Sequence, residues 1–305
     1  MVVYSVQAPN AVILVRPHHF HPNPQTAADN AFQREVESDV SQAAYDESTR
    51  VAQALEAAGV RVHIFEDETD ATPDSVFPNN WFSTHAGGRV AVYPMYAQNR
   101  RDERRHDIIE FLKRSYRVQE VTDYSGLEED DLYLEGTGAM VLDHLNRIVY
   151  AARSNRCDAA LVERFCTVFG YEPIIFDAVD ADGVPIYHTN VMMAVATDFA
   201  LVGLDTIVDT ERRETVIRRL EDSGRTVIDL TNEQISNFAG NAIELRGADG
   251  ARVLAISQTA YDSLRDDQKA IIEESCTILP LPVPTIESAG GSVRCMIAGV
   301  HLDPR

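Results

Sequence analysis

Twice in this 305-residue chain, two apolar runs stand only two residues apart. "GAMVLD" (138–143) is followed across His144-Leu145 by "NRIVYAA" (146–152), and "NVMMAVA" (190–196) across Thr197-Asp198 by "FALVGL" (199–204). So short a spacer leaves room for little but a tight antiparallel hairpin. Further strand-like runs occur at 11–15, 60–65, 89–93, 172–176, 226–230, 241–245 and 252–257. Helical spacing fills 25–58, 102–115, 156–169, 210–223 and 260–275, with Thr210 and Thr259 as starts of the last two. The order hairpin, helix, strand recurs without a long linker. It predicts one α/β domain over residues 1–305, made of about five similar units. The segment 279–292, proline-rich and then glycine-rich, reads as a loop that delivers a C-terminal strand.

Composition narrows the function classes. Hydrophobic residues make up 45% of the chain, a globular value. No apolar run reaches the roughly 18 residues of a membrane span. The net charge of −21 repels nucleic acid and anionic membranes. Only Lys113 and Lys269 are lysines; the bias to arginine fits a salt-rich cytoplasm and an arginine-favouring genome equally. The start "MVVYSVQAPN" lacks a basic region followed by an apolar stretch, so a cytoplasmic location is expected. Cys157, Cys166, Cys276 and Cys295 form no CxxC pair, which argues against a disulfide framework and a zinc site.

Several local patterns carry candidate chemistry. In "HHFH", His18, His19 and His21 lie between Pro17 and Pro22 with no carboxylate at helical spacing, and read as a loop rather than a metal site. "LEGTGAMVLD" places Glu135 before two glycines, and "YHTNVMMAVA" places His188 and Asn190 at a strand entrance, on one face by alternation. Taken alone, Glu135 reads as a surface carboxylate and His188 as a structural histidine. In "SAGGSVRCMIAG", Cys295 follows Gly290, Gly291 and Ser292, a loop whose main-chain NH groups suit an oxyanion. A free cysteine, a histidine and a carboxylate are the minimal set for thiolate catalysis. "PDSVFPNNW" holds Asp74 and the adjacent amides Asn79 and Asn80, and "NFAGNAIEL" offers Asn241 either as a pocket wall or as a plain turn.

In order and spacing, "PDSVFPNNW", "LEGTG", "HTN" and "GGSVRCM" resemble the guanidino-group-modifying enzymes: arginine deiminases, dimethylarginine dimethylaminohydrolases and amidinotransferases. The resemblance runs from Val12 to the C-terminus. It implies a five-bladed α/β propeller, the pentein fold, with Cys295 as nucleophile, His188 as its histidine and Glu135 as the catalytic carboxylate. It further implies that Arg100 and Arg153 hold a substrate α-carboxylate and that Asp74 helps hold the α-amino group. No cofactor or metal is implied. The partner expected is a small amino-acid substrate, with further copies of the chain left open.

Two departures from the family pattern bear on the substrate. Where guanidinium-binding relatives have carboxylates at the end of the "PDSVF" motif, this chain has Asn79 and Asn80; where deiminases have an aspartate two residues after the histidine, it has Asn190. Burying a guanidinium without its carboxylates costs roughly 3–5 kcal/mol, more than about a hundredfold in binding. Amides instead complement a neutral ureido group, donating to its oxygen and accepting from its NH groups. The sequence is therefore similar to the citrulline hydrolases, which convert citrulline to ornithine, ammonia and carbon dioxide. Two other readings stay open: a deiminase- or dimethylarginine-type guanidine hydrolase, and a non-catalytic propeller that works as a binding protein.

Overall fold

The computed structural model describes residues 5–36, 38 and 40–305. Its fifteen strands fall into five sheets of three. β1 (Ala11–Pro17) and β2 (Arg61–Asp67) pair in parallel across the helix Ser41–Ala57. The second sheet joins β3 (Phe82–His85), β4 (Arg89–Val92) and β5 (Glu120–Asp123); the third joins β6 (Met140–Asp143), β7 (Ile148–Ala152) and β8 (Glu172–Phe176). The fourth holds β9 (Met193–Val195), β10 (Phe199–Val202) and β11 (Thr226–Asp229), the fifth β12 (Ile243–Arg246), β13 (Arg252–Ser257) and β14 (Thr277–Leu281). β15 (Ala298–Gly299) then pairs antiparallel with β1, Val12 opposite Gly299, and completes the first sheet.

Every sheet repeats one plan. An inner strand runs antiparallel to a central strand, which runs parallel to an outer one after a helical crossover. The central strands read as unbroken apolar runs because both faces are covered: all five residues of β7 are buried. The outer strand β2 is half-buried to exposed until its last residue, Asp67, which is buried, as an edge strand is less covered than a central one. The crossover helices start where side chains cap them: Asp158 accepts from Ala160 N and Leu161 N, Asp209 from Arg212 N, and Ser257 from Ala260 N. The inner strands meet one another, β6 and β12 against β9 and β15 against β3, so the five sheets surround a common axis. This is the five-bladed α/β propeller.

The hairpins predicted at 138–152 and 190–204 form as β6–β7 and β9–β10. The helix predicted over 25–58 is shorter, beginning at Ser41. Upstream of it, side chains take over the backbone: Gln25 N donates to Asn23 Oδ1 and Phe32 N to Asn30 Oδ1, which holds the segment in turns. The helix predicted over 260–275 is two, Gln258–Ser263 and Asp266–Glu273, and the crossover at 102–115 keeps its helix only over His106–Ser115. No helix among the described residues is long and apolar enough to cross a membrane.

Candidate functional site

Each inner strand is entered through a short turn, and all five turns lie at one end of the axis. Pro78–Asn80 leads into β3, Gly136–Ala139 into β6, Thr189–Val191 into β9, Asn241-Ala242 into β12 and Val293–Met296 into β15. The fivefold repeat thereby brings together residues more than 200 positions apart: Asn79 and Asn80, Glu135, His188 and Asn190, Asn241, and Cys295. All of them are buried. Glycines let the turns touch. A Cβ on Gly138 would stand 2.3 Å from the Asn80 amide and 2.8 Å from His188 Nδ1, and Gly136 has φ +47° against the Asn79 carbonyl.

The ring has a definite polarity. His188 Nε2 meets Glu135 Oε2 at 2.8 Å, which leaves Nδ1 as its free nitrogen. Glu135 is also approached by Arg100 Nη1 at 3.4 Å and Arg156 Nη1 at 3.7 Å. Burial alone would raise its pKa, but Arg156, His188 and Arg100 together hold it well below the usual carboxylate range. Burial lowers His188 against the opposing pull of Glu135. Asn190 Nδ2 and Asn241 Nδ2 each lie 3.3 Å from Cys295 Sγ. Asn241 cannot be turned round, because its Oδ1 accepts from Arg294 N at 3.0 Å. Two amide donors thus reach the one sulfur. The remaining thiols, Cys157, Cys166 and Cys276, are each pushed up to about 12 by burial, the mark of structural cysteines.

Arg100 sits beneath this ring. It pairs bidentately with Glu103, Nε to Oε1 and Nη2 to Oε2, both at 2.9 Å. The hydrogen-bond network assigns the Asn80 amide: its Oδ1 accepts from Arg100 Nη1 at 3.0 Å and Nη2 at 3.1 Å, while its Nδ2 donates to Asn79 Oδ1 at 3.0 Å. Burial opposes the charge on Arg100, but Glu103, Asp74 and Glu135 outweigh it and raise its pKa. Arg100 was expected to hold a substrate carboxylate. Its donors are instead taken up by protein groups, and it fixes which end of the Asn80 amide faces away from it.

Arg153 is not brought to the cleft. It follows β7 on the outer face, half exposed, and pairs with Asp177. Arg156, three residues on, lines the cleft in its place, with its guanidinium 4.8 Å from the Tyr187 ring centroid. Its Nε donates to Asp29 Oδ2 at 3.0 Å, and its Nη2 to Asp29 Oδ1. Asp74 Oδ2 accepts from Asn23 Nδ2 at 2.8 Å, while Asp74 Oδ1 has no partner. Asn79 Nδ2 and Asn190 Oδ1 are likewise buried and unpaired. Natural proteins rarely leave such groups unmet. Asp74, Asn80, Arg100, His188 and Cys295 line a small cleft, and Asn79 and Asn190 belong to the turns that carry Asn80 and His188 to it.

The segment 22–34 roofs this cleft. Asn30 Nδ2 donates to Ala289 O at 3.2 Å and Arg34 N to Ser288 O at 2.8 Å. Gly290, at φ +79°, has no room for a Cβ beside the Asn30 amide, nor has Gly291 beside the Phe77 ring. The glycine pair serves this close approach. The NH groups of Gly290, Arg294 and Cys295 are committed to Glu287 O, Asn241 Oδ1 and Ser292 O, so side-chain amides rather than these main-chain groups face the thiol. His188 and Asn190 reach the ring through the turn at Thr189–Val191 and not by strand alternation. Asn23, Asp29, Asn30 and Tyr187 carried no sequence signal, because only the roof places them. His18 is bound to Glu66 at 2.9 Å, and among the described residues no three histidine, cysteine or acidic side chains are grouped to hold a metal.

Residues 16–302 match the family model for eukaryotic N,N-dimethylarginine dimethylhydrolase. The chain belongs to this family. It is thus a member of the guanidino-modifying pentein superfamily. Solved structures share the fold at low identity. ArgZ, an arginine dihydrolase from the ornithine–ammonia cycle in Cyanobacteria, superposes with TM-score 0.76 at 16% identity, over 96% of this chain and 41% of that one. This chain therefore spans about two-fifths of that protein. It covers 98% of the ArgZ N-terminal domain solved as a cysteine-to-serine variant with substrate (TM-score 0.74, 16% identity, 96% of this chain). Dimethylarginine dimethylaminohydrolase from Pseudomonas aeruginosa, solved as a cysteine-to-serine variant with citrulline, gives TM-score 0.64 at 13% identity over 96% of this chain and 99% of that one. Curated protein sequences give no match.

Proposed function

We propose that this chain hydrolyses citrulline to ornithine, ammonia and carbon dioxide through a covalent intermediate on Cys295. The observation that carries the reading is the pair of amide NH₂ groups, from Asn190 and Asn241, at 3.3 Å from Sγ. Among the described residues no carboxylate contacts the sulfur; Glu135, Asp74 and Asp29 are held by His188, Arg100, Arg156 and Asn23. A guanidinium brought to Cys295 would meet neutral amides. A ureido group would find the unpaired Asn79 Nδ2 for its oxygen and the unpaired Asn190 Oδ1 for an N–H.

In this reaction the Cys295 thiol gives its proton to His188 Nδ1 and the sulfur bonds to the ureido carbon. The C–O π pair moves to oxygen, where amide donors stabilise it. Collapse breaks one C–N bond as His188 returns the proton to the leaving nitrogen. Glu135 keeps the imidazole oriented and balances its transient charge. Water, deprotonated by His188, then cleaves the C–S bond. Whichever nitrogen leaves first, the carbamic acid formed breaks down to the same three products. Asp74 Oδ1 receives the substrate ammonium. Arg156 receives its carboxylate once Asp29 yields, and this assigns to Arg156 the role expected for Arg153. A urea carbon is a poorer electrophile than a guanidinium carbon, so Asn80→Asp is expected to lower kcat as well as citrulline affinity.

A second reading has one observation in its favour. The fold is shared with ArgZ, which is described as an arginine dihydrolase, and such an enzyme would start one step earlier, from arginine. The deciding experiment is ornithine and ammonia release from citrulline and from arginine, each alone, in high-salt buffer, with Cys295→Ser as control. Ornithine from citrulline alone supports the proposal. Ornithine or citrulline formed from arginine at a comparable rate would overturn its substrate half and leave the thiolate half standing.

A further inference from the structure

The inner strands line a second, small chamber on the axis, beyond the ring of turns. All five sheets contribute to its wall, through Ser83, Leu142, Val195, Glu244 and Gly299 among others. Gln7 spans it, donating to Leu142 O at 2.9 Å and Val195 O at 2.8 Å. Arg294 reaches into it from the turn that carries Cys295, so consecutive residues serve opposite compartments: the thiol lines the cleft and the guanidinium lines the chamber.

Arg294 meets no carboxylate among the described residues, and the adjacent Cys295 sulfur is the group that favours its charge. Its Nη1 donates to Ile297 O at 2.9 Å. Glu244, the acidic residue of the chamber wall, is already committed: Oε2 accepts from Thr197 N and Oγ1, and Oε1 pairs with Arg252 at 3.3 Å. Burial pushes Arg294 down to about 10, still charged near neutral pH. Beside it stand His144 and His301, stacked at 3.9 Å between ring centroids, both lowered by burial and so neutral; the one N–H of His301 is spent on the Val6 backbone. His144 Nδ1 is taken by Tyr171 at 3.1 Å, which leaves Nε2. A partly buried guanidinium with no carboxylate partner leaves its donors to an anion or to water.

We propose that the axial chamber binds one small inorganic oxyanion on Arg294, with His144 Nε2 as a neutral donor beside it. The site stands apart from the citrulline reading, since none of its groups lies in the cleft. Through the turn Val293–Met296 it also sits directly behind the reacting sulfur.

The test is isothermal titration of the whole protein with phosphate and, separately, bicarbonate, against chloride at constant ionic strength. Saturable uptake of one anion per chain is expected, weakened at least about tenfold in Arg294→Gln and kept in Arg156→Gln, which removes one of the two arginines lining the cleft. Preference for phosphate or for bicarbonate identifies a tetrahedral or a planar guest, and either supports the site. Uptake lost in Arg156→Gln and kept in Arg294→Gln would place the anion in the cleft and overturn the proposal. So would no uptake of either anion by the wild-type chain. If Arg294→Gln does not fold, His144→Phe decides instead: severalfold weaker uptake supports the chamber site, and unchanged affinity overturns it.

Discussion

Replacing Asn190 by aspartate isolates the electrostatics of the thiol. The Asn190 amide lies 3.3 Å from Cys295 Sγ. The substitution exchanges an N–H donor for a negative charge at nearly the same place. Two unit charges at that distance repel by about 5 kcal/mol at an effective dielectric near 20, which lowers the thiolate population on the order of a thousandfold at fixed pH. Some of this is recovered because a new buried carboxylate beside a thiolate shares a proton with it and the two titrate as a pair. A loss of at least about a hundredfold in thiolate reactivity is left. The assay is alkylation of the native protein by iodoacetamide, followed by mass across pH. The other three thiols are buried and pushed up to about 12, so one fast-reacting site reports Cys295. The same variant should turn over citrulline poorly and bind arginine better than the parent, having regained a carboxylate for a guanidinium. Alkylation of Asn190→Asp at the parental rate over the whole pH range would refute the placement of this amide at the sulfur.

Other substitutions separate the remaining parts. Arg100→Gln leaves Glu103 and Asp74 buried without their cation and should destabilise the fold by about 3–5 kcal/mol in urea unfolding; a raised KM with parental stability would restore Arg100 as a substrate clamp. Gly138→Ala drives a methyl group into His188 Nδ1 and the Asn80 amide, and should cost about a hundredfold or more in kcat at little cost in thermal stability, since sub-ångström positioning is what it disturbs. The acid limb of kcat/KM should lie below the ordinary imidazole value of 6.5, because burial lowers His188 and activity fails once His188 is protonated before it can take the thiol proton. Glu135 pulls His188 upward, so Glu135→Gln should move that limb to still lower pH while reducing kcat, and a limb that moves upward would contradict the pairing.

The hairpins were legible because a two-residue spacer between apolar runs has one geometric solution, as at 143–146 and 196–199. The outer strands were less so: β5 and β14 are short, half-exposed edges with no alternation strong enough to declare them. The helical reading of 25–58 fails over its first part, which belongs to the roof, because it rests on the Ala, Glu and Gln content of the whole stretch, while the residues that decide the path there, Asn23 and Asn30, act through side-chain bonds to the backbone and to distant loops. Arg153 and Arg156 share one short motif, and only the end of β7 tells which turns outward. Cys295, His188 and Glu135 could be named from the motifs, since each immediately precedes or enters an inner strand. That Asn241 joins them depends on the closure of the fifth sheet against the first, which no local pattern encodes.

That closure sets a schedule on the molecule's making. Cys295 stands three residues before β15, and β15 pairs with β1, almost the full length of the chain away. While a ribosome is still assembling the fifth sheet, the inner edge of β1 has no partner, and Asn190 and Asn241 have no sulfur to address. The event that seals the ring also delivers the thiol to its amides. A partly synthesised chain therefore exposes an open strand edge but no assembled reactive cysteine, and reactivity arises only in molecules whose longest-range pairing has already formed.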